Sequence, residues 1–227
     1  MPNSSSHLEI LHETPQIIVV NKAAGLISEK SPYEDLTVEN QVLDYLTENK
    51  GISNKPPYLG VIHRLDRVTS GVLMFAKKKK ALVQFNELFS QRKIQKTYWA
   101  IVESKPDEDS AMLKNFLIKN QKEKRADVSE TETPDSQKAT LSYRMLGQND
   151  FGFLLEVKPK TGRFHQIRAQ LAHLGCPIVG DEKYGAQTAY NPLSICLHAR
   201  ELTFSHPITG DNTHYQAPVP NENHWIF

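Results

Sequence analysis

With 227 residues, 27 Lys and Arg against 26 Asp and Glu, and a formal net charge of +1, the chain is long enough to bury a real core. It is too balanced to be an acidic solvating segment or a uniformly basic nucleic-acid coat, so any nucleic-acid surface must be local. The two cysteines, Cys176 and Cys196, lack CxxC spacing, exclude a four-cysteine metal site and read as buried thiols of a reducing compartment. The start of the chain has no basic, apolar leader and no later segment is long enough to span a bilayer, so a cytoplasmic protein with no membrane partner is expected.

In chain order, residues 1–7 are polar and expected to be disordered. A β-branched run at residues 16–20 predicts a strand, closed by Asn21, Lys22 and a turn at Gly25. Val38, Val42, Leu43 and Leu46 fall at helical spacing within residues 36–49, with Thr37 as cap and residues 51–57 as stop. Five apolar residues after Gly71 predict a buried strand at 72–76. Lys77, Lys78, Lys79 and Lys80 open a helix whose Leu82, Phe85, Leu88 and Phe89 make the inward stripe. Lysine is disfavoured at a helix N-terminus, so the run is either a solvated face or set there by another demand.

Residues 97–102 read as a strand with Tyr98, Ala100 and Val102 on one face and Thr97, Trp99 and Ile101 on the other. A strand follows at 112–118, then a charged loop at 122–136. Strands at 139–146 and 151–157 form a hairpin joined at 147–150. Thr161 and Gly162 open a helix with Phe164, Ile167, Leu171 and Leu174 as its buried stripe and Gly175 as its stop. A turn-rich segment, a strand at 195–204, a turn at 206–210 and a last strand from His214 complete the chain. Strands outnumber helices in a pattern that favours a mixed sheet over a doubly wound parallel one, and no linker separates two domains.

Two stretches are dense in chemistry. In HRLDRVTSG at 63–71, Asp66 sits among His63, Arg64 and Arg67 on a turn that feeds a buried strand, where polar groups are projected from a rigid scaffold. Such an acid is ordinarily a solvated turn residue or half of a weak surface pair. In the second stretch Arg168 lies one position from Ile167, at the edge of an apolar seam, and must snorkel to water or meet an acid. Lys158, Lys160, Arg163 and His165 crowd the start of that helix, where amides and basic side chains would receive a phosphate. The plainer reading is a helix with an ordinary basic surface.

Taken together, HRLDRVTSG at 63–71, QKTYWAIV at 95–102, TGRFHQIR at 161–168, GDEKYG at 180–185, VNKAAGL at 20–26 and LHARELTFSHPITG at 197–210 resemble the RluA-type pseudouridine synthases over about residues 8–217. Three departures stand out. Ala23 replaces a usual proline, SEKS at 28–31 replaces a histidine-bearing loop, and only a handful of residues precede Leu8, so a separate N-terminal RNA-binding domain is expected to be absent.

The resemblance implies an α+β fold. It would be a single catalytic domain over 1–227, built on a mixed, mostly antiparallel sheet in two lobes with flanking helices and a central basic cleft. It implies isomerisation of uridine to pseudouridine in a ribosomal or transfer RNA stem-loop by a monomer, with no cofactor, metal or DNA. Asp66 would be the nucleophile, Arg168 its charge partner, and Tyr98 the ring stacked on an extruded uracil. Ile167 would form the other wall of the base pocket, Arg64 would fill the space left by the flipped base, and His63, Lys160, Arg163 and His165 would contact RNA. The RNA would be selected at residues 28–35 and 122–136. Two other readings stay open: an inert RNA-binding domain of the same fold, and a carboxylate-dependent hydrolase in which Glu29, Asp181 or Glu182 would supply a second acid.

Overall fold

The computed structural model describes residues 8–49, 56–207 and 209–227. The expectations for residues 1–7, for most of the helix stop at 51–57 and for residue 208 of the turn lie outside the described residues. In chain order the strands are β1 (Glu9–Glu13), β2 (Ile17–Lys22), β3 (Gly60–Val61), β4 (Ser70–Ala76), β5 (Gln95–Val102), β6 (Ser110–Asn120), β7 (Arg125–Ser129), β8 (Ser136–Asn149), β9 (Gly152–Pro159), β10 (Leu197–Ser205) and β11 (Asn212–Gln216). The α-helices are α1 (Val38–Glu48), α2 (Lys79–Ser90) and α3 (Gln166–His173). This is the α+β class that the balance of strands and helices favoured. The residues divide into two compact units, Met1–Ile94 with Ala199–Pro218, and Gln95–His198 with Val219–Phe227.

In the first unit β2 pairs antiparallel with β1 and β4, β3 with β4, and β11 with β10. Ile17, Ile18, Val19 and Val20 face Val72, Leu73, Met74, Phe75 and Ala76 with no exposure at all. Strands covered on both faces read as unbroken apolar runs, which is why both were visible without alternation. Helix α2 lays Ala81 and Phe85 into this core, with Leu82, Leu88 and Phe89 at its margin. Phe85 meets Phe204 edge-on at 5.5 Å. Thr37 caps α1 as expected, its hydroxyl accepting from the Asn40 amide at 3.1 Å. Strand β1 was not expected: its sequence EILHE is charged and mostly solvent-facing, so pairing with β2 rather than patterning defines it. Lys78, Lys79 and Lys80 are exposed at the uncapped start of α2, while Lys77 pairs with Glu13.

The second unit runs β5-β9-β8-β6-β7, antiparallel throughout. The charged stretch 122–136 is not all loop, because β7 pairs with β6 from Phe116 to Asn120. Its apolar signal is only Ala126 and Val128, hidden between Arg125, Asp127 and Ser129. The β8–β9 turn is also tighter than expected, since the strands continue to Asn149 and Gly152 and an irregularity between Met145 and Gly147 absorbs the extra residue.

Helix α3 packs against β6 and β7. It is shorter than expected: Phe164 and Leu174 lie outside it and are 40% and 37% exposed, and Gln166 to Leu171 are all buried instead of one stripe. A helix covered all round with glutamines inside must satisfy them internally. Gln166 Oε1 accepts from Thr161 Oγ1 at 2.7 Å and from the Arg163 amide at 3.0 Å, and its Nε2 donates to Thr140 O and Gln170 Oε1, both at 3.1 Å. Gln170 Nε2 in turn donates to Asn115 Oδ1 at 2.7 Å. Cys176 and Cys196 are free and buried, and burial pushes both thiols upward.

Two glycines separate backbone strain from contact. Gly71 opens β4 at φ +114°, and a Cβ there would lie 2.2 Å from Ala199 O and 2.6 Å from Ala199 N, both immovable backbone. Gly175 has φ +83° with nothing within 4 Å of such a Cβ. Gly71→Ala is expected to lose roughly 3 kcal/mol or more of unfolding free energy in urea, against about 1 kcal/mol for Gly175→Ala, where only the positive φ is penalised. Equal losses would mean that β10 can move away from Gly71.

Candidate active site

The Asp66 turn is pinned at almost every carbonyl around it. Thr69 N donates to Asp66 O at 3.1 Å, closing the turn, and Gly25 N donates to Arg67 O at 2.8 Å. Ser28 Oγ donates to Leu65 O at 2.9 Å and accepts from Leu65 N at 3.0 Å. Beneath the turn lies the side chain of Lys22, 1% exposed, with Nζ donating to Ala23 O at 2.9 Å, Arg67 O at 3.0 Å and Thr69 O at 2.8 Å. Three acceptors match the three N–H donors of an ammonium. Burial draws this group down to about 7; the Asp66 charge opposes that drop and the Arg67 charge adds to it.

Asp66 itself is half-buried on this fixed backbone. His63 is tied inward: its Nε2 accepts from the Met74 amide at 3.2 Å and its ring stacks on Phe89 at 4.9 Å. The two arginines flanking Asp66 face acids from the 28–35 segment, Arg64 pairing with Glu29 and Arg67 with Glu34. Arg64 stays two-thirds exposed.

In the second unit, Arg168 meets an acid, one of the two outcomes its position allowed. The guanidinium donates from Nε to Asp181 Oδ2 at 2.7 Å and from Nη2 to Asp181 Oδ1 at 2.8 Å, and both side chains are almost fully buried. Its Nη1 lies 3.0 Å from His165 Nε2, and its carbon lies 5.1 Å from the centre of the Tyr184 ring. His165 precedes α3 in the left-handed region, at φ 51° and ψ 23°, and makes no capping bond. Ile167 is buried beside Arg168.

Tyr98 lies on β5 opposite Val157 and is half-buried. Two residues earlier on the same strand, Lys96 shares its face; burial lowers its pKa, and its Nζ would lie 3.3 Å from a Cβ at Gly162. Of the basic groups at the start of α3, Lys160 is exposed, Lys158 pairs with Glu156 at 2.8 Å, and Arg163 Nε donates to Lys138 O at 3.2 Å. The Arg163 amide is turned onto Gln166, so that helix start serves its own side chain instead of presenting the amide outward.

Residues 16–173 match the family model of RNA pseudouridylate synthases. The chain belongs to this family. It is therefore an RNA pseudouridine synthase, an isomerase. It is 32% identical to the "tRNA pseudouridine synthase C" of Vibrio parahaemolyticus over 97% of this chain and 94% of that one. It is also 32% identical to the "Ribosomal large subunit pseudouridine synthase C" of Rickettsia felis over 93% of this chain and 67% of that one. The solved structure of "Human RNA Pseudouridylate Synthase Domain Containing 4" superposes with a TM-score of 0.78 at 25% identity, covering 94% of this chain and 89% of that one.

For an RNA pseudouridine synthase, the departure at 28–31 has a structural answer: Ser28 is buried and grips Leu65 from both sides, while Glu29 takes Arg64. Lys22, Ser28, Lys96 and Tyr184 were not singled out by residue type, and Asp181 only as a possible second acid of a hydrolase. Lys22 stood in a quoted motif, yet only its burial beneath the turn reveals its work.

Lys22 also yields a pH dependence with a definite sign. An unfolded lysine holds its proton to about pH 10.4, whereas the folded one releases it near 7. Between those values the unfolded chain binds more protons, so this residue's contribution to stability rises with pH. Urea unfolding of the wild type and of Lys22→Met, which cannot titrate, is expected to show their stability difference growing from about pH 6 to about pH 9. A difference that stays flat or shrinks would mean that the three carbonyls keep the ammonium charged.

Proposed function

We propose that this isomerase acts on uridine in a transfer or ribosomal RNA stem-loop, as a monomer, with Asp66, Tyr98 and Arg168 working on one extruded nucleotide. The two named relatives act, by their names, on tRNA and on the ribosomal large subunit. The observation that carries the assignment is the backbone at Asp66: every neighbouring carbonyl from Leu65 to Thr69 except that of Val68 is engaged, and the residue itself is only half-buried. Rigid backbone beneath a charged side chain is what aiming a nucleophile requires.

In the reaction the bond from uracil N1 to C1′ breaks, the base turns, and C5 bonds to C1′. The C5 proton leaves and N1 gains one, so the isomerisation needs no oxidant or reductant. The Asp66 carboxylate holds the reacting fragment between the two bonds. Arg168 fixes its direction. The ring of Tyr98 stacks on the turned uracil and Ile167 closes the pocket. Arg64 fills the space that the base leaves, and the exposed Lys160, with Arg163 and Lys78 to Lys80, meets phosphates. His63, held by Met74 and Phe89, keeps the turn in register with β4.

Asp66→Asn is expected to abolish tritium release from RNA labelled at uracil C5 while RNA affinity stays within about tenfold. Near-normal release would remove Asp66 from the chemistry, and free uracil would indicate hydrolysis. Arg64→Ala is expected to slow turnover on hairpin RNA by at least about tenfold more than on an unpaired strand, because a paired base costs a few kcal/mol to extrude. Equal losses on both substrates would deny Arg64 a part in flipping.

A further inference from the structure

The contacts around Arg168 assign donor and acceptor along the chain from Arg168 through His165 to Tyr184. A guanidinium has donors and no acceptor, so at 3.0 Å from Nη1 the Nε2 of His165 must accept. That leaves the imidazole's one proton on Nδ1, which donates to the Tyr184 hydroxyl oxygen at 3.0 Å. The same oxygen accepts from the Ala126 amide at 2.7 Å, which ties the phenol to β7. Asp181 takes the other edge of the guanidinium with both carboxylate oxygens, and the Tyr184 ring underlies it. The guanidinium is thus fixed along two edges and one face, where a single bidentate pair would fix one edge.

His165 accepts an awkward geometry to make this contact. A non-glycine residue in the left-handed region is strained, and a residue at a helix start ordinarily turns its side chain onto the helix amides. His165 does the reverse: φ is 51°, no capping bond forms, and the ring points at Arg168 and Tyr184. Its face is stacked at 3.8 Å on Phe164, over which Lys119 Nζ lies 5.2 Å from the ring centre.

We propose that His165 and Tyr184, together with Asp181, are positioning residues that aim the guanidinium of Arg168, and that His165 does this instead of binding RNA phosphate. The GDEKYG segment at 180–185 thereby gains its role: Asp181 and Tyr184, three positions apart, reach the guanidinium from an edge and a face. This inference rests on the proposed role of Arg168 in the reaction.

The test uses the full chain and bulk RNA tritiated at uracil C5, taken from cells lacking this gene. Single-turnover release, filter-binding Kd on the same RNA and thermal melting are compared for His165→Ala, His165→Gln, Tyr184→Phe and Arg168→Lys. His165→Ala is expected to slow the single turnover about tenfold to a hundredfold with Kd within about threefold, since misaiming costs rate while RNA contacts persist. Tyr184→Phe keeps the ring, loses only the hydroxyl, and is expected to show a smaller loss of the same kind. His165→Gln offers an amide oxygen where Nε2 stood and is expected to recover most of the rate.

A weaker Kd with an unchanged rate in His165→Ala would make it an RNA contact and overturn the proposal. So would a glutamine variant as slow as alanine, or unchanged rates in both His165→Ala and Tyr184→Phe. Should His165→Ala melt before the assay temperature, Tyr184→Phe and His165→Gln decide alone. If Arg168→Lys keeps the wild-type rate, the catalytic reading of Arg168 is what fails. If it is slow while the His165 and Tyr184 variants are fast, only the positioning role fails.

Discussion

One buried lysine side chain holds the Asp66 turn of the first unit in place. Lys22 ends β2, opposite Gly71 at the start of β4, and sends its side chain inward beneath the Asp66 turn that leads into β4. Burying a lone charge is costly, and it is tolerated where hydrogen bonds replace lost water. Here Ala23, Arg67 and Thr69 supply three carbonyls at 2.8–3.0 Å. The same bonds that make the charge tolerable fix the loop that carries Asp66. The absence of a side chain at Gly71 belongs to the same arrangement, because only glycine lets β4 start so close to Ala199.

The second unit solves a different problem. Helix α3 is covered on all sides, so its polar residues must be satisfied within the protein, and they are, by a chain of side chains running from Thr161 through Gln166 and Gln170 to Asn115. Such a network sets helix position more sharply than apolar packing would, because a shift of one rotamer leaves a buried amide unpaired. Arg168 sits in that network's midst with Asp181 as its buried partner. A buried ion pair adds little net stability, so retaining it is better explained by orientation than by strength.

How far the sequence disclosed this depended on how each residue is held. Strands β2 and β4 were legible because burial on both faces leaves unbroken apolar runs, and α1 because Thr37 caps it in the ordinary way. Strands β1 and β7 were not, since each is recruited by a neighbour and carries charge outward. The stripe assigned to α3 was misplaced for a related reason: its buried face includes Gln166, Arg168 and Gln170, which a hydrophobic pattern counts as solvent-facing. Asp66 and Arg168 were singled out by motif, but Lys22, Ser28 and Asp181 act through contacts with distant backbone or side chains. No local spacing carries that information.

The near-neutral charge of an RNA enzyme also finds a local explanation. Around Asp66 the acids Glu29 and Glu34 sit on Arg64 and Arg67, so both cations are partly neutralised by this chain's own 28–35 segment. Exposed pairs of this kind are worth about 0–1 kcal/mol, whereas charge-assisted bonds from arginine to phosphate are stronger and release counterions. An arriving phosphate would therefore displace Glu29 from the two-thirds exposed Arg64 at little cost. The segment that departs most from the family's usual loop thus pairs with both arginines and also, through Ser28, supports the backbone on which Asp66 stands.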